Sequence, residues 1–205
     1  GTKTVISSVP LSVNGNLEVQ TNQTLNVTGD LSVSGTSSIS ASITTTEDQT
    51  YTGEVTLGAN TNLESTNNGI ILFSSTINGA HNLTLNAGTG TITFGSTVGN
   101  SNPLNQLIIG NANAVNFSDA VTANNGVISR AGTGTSQSWN GTISLLNTDL
   151  YLDHNGATLT LGANLSCRNL YFYGGNLNIA NRTITTSQDF VVFGAGYNPD
   201  DPEWE

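Results

Sequence analysis

The sequence predicts an all-β chain wound as a parallel β-solenoid of about nine coils. Three observations predict it. Apolar residues come in pairs spaced two apart, each pair short and followed by a corner that contains Asn or Gly. The units return in altered form: VTLGAN at 55–60 comes back as LTLGAN at 159–164, and NLTLN at 82–86 is echoed by NLNIAN at 176–181. Helix signals are nearly absent, because Glu, Lys, Arg and Gln are sparse and no dozen residues hold a 3.6 period without a Gly or a β-branched cluster.

The elements follow in order. Leu17-Val19, Leu25-Val27 and Leu31-Val33 open the series. Ile39-Ala41-Ile43, Val55-Leu57, Leu83-Leu85, Ile92-Phe94 and Leu107-Ile109 continue it, and Leu159-Leu161, Leu170-Phe172, Leu177-Ile179 and Phe190-Val192 complete it. Alternation puts each pair on one face of its strand. Strands this short are stable only when each coil stacks on an equivalent coil. Three of them fit between Leu17 and Val33, so a coil takes roughly 18–25 residues and, at about 4.8 Å per coil, the rod is about 40–45 Å long. A column of Asn at the corners would tolerate left-handed backbone and ladder its side-chain amides. The competing fold is an antiparallel sandwich, for which Asn-Gly pairs such as Asn78-Gly79 and Asn125-Gly126 would be hairpin turns. From Tyr171 the residues expected to face the core grow larger: Tyr171, Phe172, Tyr173, Phe190 and Phe193. The solenoid is expected over 1–193, followed by an acidic, Pro-containing tail or linker over 194–205.

Only 9% of the 205 residues are charged and the net charge is −10. Lys3, Arg130, Arg168 and Arg182 are the only basic side chains. Nucleic-acid binding needs clustered cations that release counterions from phosphates, so neither nucleic acid nor an anionic membrane is an expected partner. No run of 18 apolar residues is present, so no membrane insertion is expected. No signal peptide is read and the chain opens at Gly1, so it reads as a piece of something longer. The single cysteine, Cys167, sits in an alternating run and is expected to be a buried core residue.

No catalytic residue, cofactor or metal site is expected. A glycosidase needs two carboxylates about 5–10 Å apart. The nearest candidates, Asp149 and Asp153, would lie about 13 Å apart along one strand. The two histidines, His81 and His154, are not at metal spacing. Asp200, Asp201 and Glu203 are read as a solvated tail rather than a calcium site. Thr-x-Thr pairs such as Thr91-Thr93 and Thr158-Thr160 are too irregularly spaced for an ice-matching array, and Thr is simply a good outward-facing strand residue. The candidate contacts for a sugar, on condition that they are exposed, are Trp139, in the polar stretch TGTSQSWNGT, and Tyr151.

The run 43–99 resembles the repeats of large bacterial filamentous-haemagglutinin-like exoproteins. The blocks QTYTG (49–53), VTLGAN (55–60), INGAHNLTLNAGTGTITFGSTVG (77–99) and PLNQLII (103–109) carry the likeness, which is good over 43–125 and looser elsewhere. It implies a right-handed parallel β-helix, secreted or displayed on a bacterial cell surface, that acts in adhesion. A host or surface glycan or protein receptor is then the expected partner. A second reading is homo-assembly into a filament, sheath or surface layer, through unpaired ladder edges at the solenoid ends. Exposed aromatics on one face would favour adhesion, a flat Thr/Asn face assembly, and convergent carboxylates a polysaccharide-active enzyme.

Overall fold

The computed structural model describes residues 3–130, 136–141, 143–145 and 147–193. The expected tail, with Asp200, Asp201 and Glu203, lies outside the described residues. Within them there is no helix, and the strands pair in parallel throughout. The fold is a parallel β-solenoid of about nine turns, and the antiparallel sandwich is set aside. One coil shows the plan. Gln23–Val27, Leu31–Val33 and Ser37–Ile39 lie on three successive faces, and the chain then returns to Ile43–Thr45, alongside the first of them. Coil length matches the expectation: Leu25 pairs with Ile43, 18 residues on, and Leu85 with Ile109, 24 residues on.

Alternation decides what fills the lumen. On the first face Leu25, Ile43, Leu63, Leu85 and Ile109 stack in register, all buried. On the second face the inward column runs Val33, Tyr51, Phe73, Phe94 and Phe117. Its four rings stack face to face with centroids 5.3, 5.7 and 5.3 Å apart. Parallel in-register strands place identical positions at one coil's spacing, so once one position is aromatic its neighbours gain by being aromatic too.

The first polar pair of the second face enters the lumen with partners. The Tyr51 hydroxyl donates to Gln49 Oε1 at 2.9 Å, and Gln49 Nε2 donates to the Glu64 carbonyl at 2.9 Å. Burial pushes the Tyr51 hydroxyl far above its ordinary pKa, so it stays a donor. Without those partners each group would cost about 1–3 kcal/mol.

Asn does both things expected of it at the corners, but with different residues. Asn22, Asn68 and Asn147 take left-handed backbone, at φ 59°, 64° and 50°. A separate column carries the amide ladder. Asn105 Nδ2 donates to Asn82 Oδ1 at 2.6 Å, Asn125 Nδ2 donates to Asn105 Oδ1 at 2.7 Å, and the Asn82 backbone N–H donates to Asn60 Oδ1 at 2.9 Å. Thr91-Thr93 and Thr158-Thr160 do not stack on like pairs: Thr93 faces Asn116 on the next coil and Thr160 faces Asn178.

Late in the chain the first corner changes character. Leu150–Leu161 and Leu170–Asn178 each run through two faces as one strand, and the register shifts around Asp153. Leu177 stays partly buried, but Ile179 falls outside its strand and is exposed. The end coils leave apolar side chains uncovered, with Val5, Ile6 and Val9 exposed at one end and Phe190 and Val192 at the other.

Candidate functional site

The outward column of the first face changes chemistry along the axis. It begins with Thr4 and Thr24 and is still polar at Asn62 and Thr84. It then becomes Ile108, Ile128, Tyr151, Tyr171 and Val191. Four aromatic rings gather there. Tyr151 stacks on Tyr171 at 5.0 Å, and Tyr173 on Phe193 at 4.6 Å. Tyr151 and Tyr173 lie nearly parallel with centroids 6.3 Å apart.

This corrects the expectation that Tyr171, Phe172, Tyr173, Phe190 and Phe193 all face the core. Phe172 aligns with the buried Leu152 and packs on the core, so its neighbours at odd phase point outward. Phe190 takes the inward phase opposite the buried Leu170, yet is 51% exposed. A bulge then sets Tyr173: Leu152 pairs with Phe172, but Asp153 pairs with Gly174, leaving Tyr173 as the extra residue. Bulges commonly re-aim a side chain in this way.

Below Tyr151 and Tyr173 lies a cleft of about 210 Å³, lined by Gln106, Asn125, Ile128, Arg130, Asp153 and the two tyrosines. Arg130 and Asp153 are register partners on adjacent coils. Gly126 makes room for the wall. Its φ is +96°, and a Cβ there would stand 2.5 Å from Tyr151 Cε2. Gly126→Ala should therefore cost about 1–3 kcal/mol and turn the Tyr151 ring, read as a lower melting temperature with shifted ring resonances at 151. An unchanged melt would mean that the glycine is incidental.

Tyr151 thus sits where a partner can reach it, whereas Trp139 does not. Trp139 does not meet the condition for a sugar contact, because it is fully buried. Gln137 and Trp139 take the inward phase, and the polar Ser138 and Asn140 take the outward one. Gly141 stands opposite Phe117 and supplies no side chain, and the Trp139 ring packs edge-on to Phe117 at 5.1 Å. Its indole N–H donates to Gln137 Oε1 at 3.3 Å.

Gln137 belongs to a polar knot inside the lumen. Ser129 Oγ donates to Gln137 Oε1 at 3.1 Å and lies 2.7 Å from His154 Nε2, and the Gln137 amide donates to the Gly110 carbonyl. The Ser129 hydroxyl and His154 Nε2 share one hydrogen bond, whose donor depends on the imidazole tautomer. Nδ1 has no hydrogen-bond partner among the described residues, and burial lowers the His154 pKa to about 4. Ser129 and His154 stand at the separation of a nucleophile and its base. Both are fully buried, however, and nothing described orients Nδ1.

The two carboxylates considered for glycoside chemistry are separated in role. Asp149 sits at a corner and accepts both arms of Arg168 at 2.7 Å, with Asn169 Nδ2 donating at 2.9 Å. The Arg168 hydrogen bond holds its carboxyl below the usual range despite burial. Asp153 lines the cleft instead, as the one carboxylate among its lining residues. Cys167 is buried and free, and burial with Asp149 nearby pushes its thiol up to about 11. No three of the described His, Cys, Asp and Glu residues stand together as a metal site, and no described helix is long and apolar enough to cross a membrane.

Of the cleft residues, sequence reasoning singled out Tyr151 as a sugar contact and Asp153 as a carboxylate weighed for glycoside chemistry. A signal for more was present: LYLD at 150–153 and LYFY at 170–173 are one block repeated a coil apart. Compared with protein-family models, curated proteins and solved structures, the chain has no match.

Proposed function

We propose that this chain is a non-catalytic segment of a secreted or surface-displayed bacterial exoprotein, serving as the contact-bearing part or stalk of an adhesin. One observation carries the reading: among the described residues Tyr151, Tyr171, Tyr173 and Phe193 gather on one face, beside a cleft with mixed polar groups. A strand's outward positions owe nothing to the core, and a stalk would fill them with Thr, Ser and Asn, as the early coils do. Solvent-facing rings are enriched where one partner meets another. The likeness of 43–125 to filamentous-haemagglutinin-like repeats supports the compartment. The proposed partner is a surface glycan or protein, and no cofactor enters the reading.

The test is adherence. Beads coated with the chain are laid on glycan arrays and extracellular-matrix proteins, and free chain is added as competitor. Retention that the competitor abolishes is expected. Absence of retention on every surface would sink the adhesin reading.

A second reading, a module that assembles end to end, is favoured by the solenoid ends. Among the described residues Lys3–Ser7 and Phe190–Val192 each pair on one side only, and each leaves apolar side chains exposed.

A further inference from the structure

We propose that the cleft under Tyr151 holds a single uncharged pyranose at the end of a glycan, and discriminates against acidic sugars. This rests on the adhesin reading and adds the chemical class of its ligand.

The cleft has an aromatic wall. Tyr171 covers one face of Tyr151, while the cleft is lined from the preceding coils by Gln106, Asn125 and Ile128. Tyr151 and Tyr173 both line it beside Ile128, so aromatic and aliphatic surface border the same space. A flat ring face beside an aliphatic floor, Ile128, suits the C–H face of a sugar, which is apolar although its rim is not. The rim is met by Arg130, Asp153, Gln106 and Asn125. A sugar hydroxyl donates and accepts at once, and this set supplies a donor-only group, an acceptor-only group and two amides that do both.

Charge decides between sugar classes. Arg130 brings one positive charge and its register partner Asp153 one negative, so the lining is formally neutral. The chain around it carries −10. A uronate or sialate would meet one cation already faced by a carboxylate, within an acidic field that lowers its local concentration. A neutral hexose pays no such penalty. At about 210 Å³ the cleft is smaller than a drug-sized site of roughly 300–1,000 Å³, so it takes the end of a glycan and not a long stretch.

The experiment is an NMR titration of the whole chain with neutral disaccharides (lactose, cellobiose, chitobiose) and acidic counterparts (sialyllactose, digalacturonate). Saturation transfer to the neutral sugars, with shifts confined to Tyr151, Tyr173, Ile128 and their neighbours, is expected. Tyr151→Ala should weaken binding roughly three- to tenfold. Arg130→Gln, at an exposed position, should do so by about tenfold or more with the fold intact. Preference for the acidic sugars, or neutral binding that survives both substitutions, would overturn this inference while leaving the adhesin reading standing. If no sugar binds but coated beads still adhere to matrix proteins, the ligand class is wrong and the reading is not. If neither occurs, both fail.

Discussion

Phe94→Ala is expected to remove about 3–5 kcal/mol of stability, the usual range for deleting a fully buried Phe. Phe94 is 1% exposed and stacks between Phe73 and Phe117, with centroids 5.7 and 5.3 Å away. Truncation loses the transfer term, opens a cavity and breaks two ring contacts worth about 0.5–1.5 kcal/mol each. The hole cannot collapse easily, because the backbone on both sides is fixed by parallel ladders to coils that do not change. In a solenoid each coil contacts only its neighbours, so the loss also weakens coupling between the two halves. Urea unfolding reads it directly. The loss should approach the whole of a typical 5–15 kcal/mol at the low end. Phe190→Ala, at a 51% exposed position, is the control and should cost under about 1 kcal/mol. A Phe94→Ala loss no larger than the control's would mean that the ring stack does not hold the coils together.

The second large effect is acid sensitivity centred on His154. Its pKa is lowered from 6.5 to about 4 by burial, with the Ser129 hydroxyl 2.7 Å from Nε2. The folded state therefore refuses a proton that the unfolded chain accepts. Stability is unaffected above about pH 6.5, falls as pH drops from there to about 4, and levels off once both states are protonated. At 1.36 kcal/mol per unit the total is about 3 kcal/mol. Asp149 adds a separate loss with a different window. Its folded pKa is depressed, so its contribution is present above the ordinary carboxylate pKa and disappears as pH falls below it. Urea midpoints across pH 3–8 should show both steps in the wild type. His154→Gln should flatten the upper one and leave the lower. A wild-type midpoint constant between pH 6.5 and 4 would contradict the buried neutral imidazole.

The fold was legible because alternation and recurrence are local properties. Val55-Leu57, Leu83-Leu85 and Ile92-Phe94 declare their inward phase within three residues, and VTLGAN returning as LTLGAN declares the winding. What failed was phase where polar residues entered the lumen. In SQSWN the inward positions are Gln137 and Trp139, and a buried glutamine beside a tryptophan reads locally as surface. The same blindness hid His154, whose burial depends on Ser129, 25 residues away. The cleft was less legible still. Gln106, Ile128, Tyr151 and Tyr173 come from four successive coils, and only exact coil lengths bring them to one face. The bulge at Tyr173 comes from one extra residue on its own strand, followed by extra residues on the partner strand between Asp153 and Thr158, and no local pattern announces either.

The central claim is that this chain presents a contact face and does not itself build a structure. Light scattering of the purified chain across a wide concentration range, with negative-stain electron microscopy of the same samples, tests it most directly. The account predicts one mass, that of a 21.2 kDa monomer, at every concentration, and short single rods in the images. Mass that climbs with concentration, together with ordered polymers of constant axial repeat, would contradict it and make the open solenoid ends the functional surfaces.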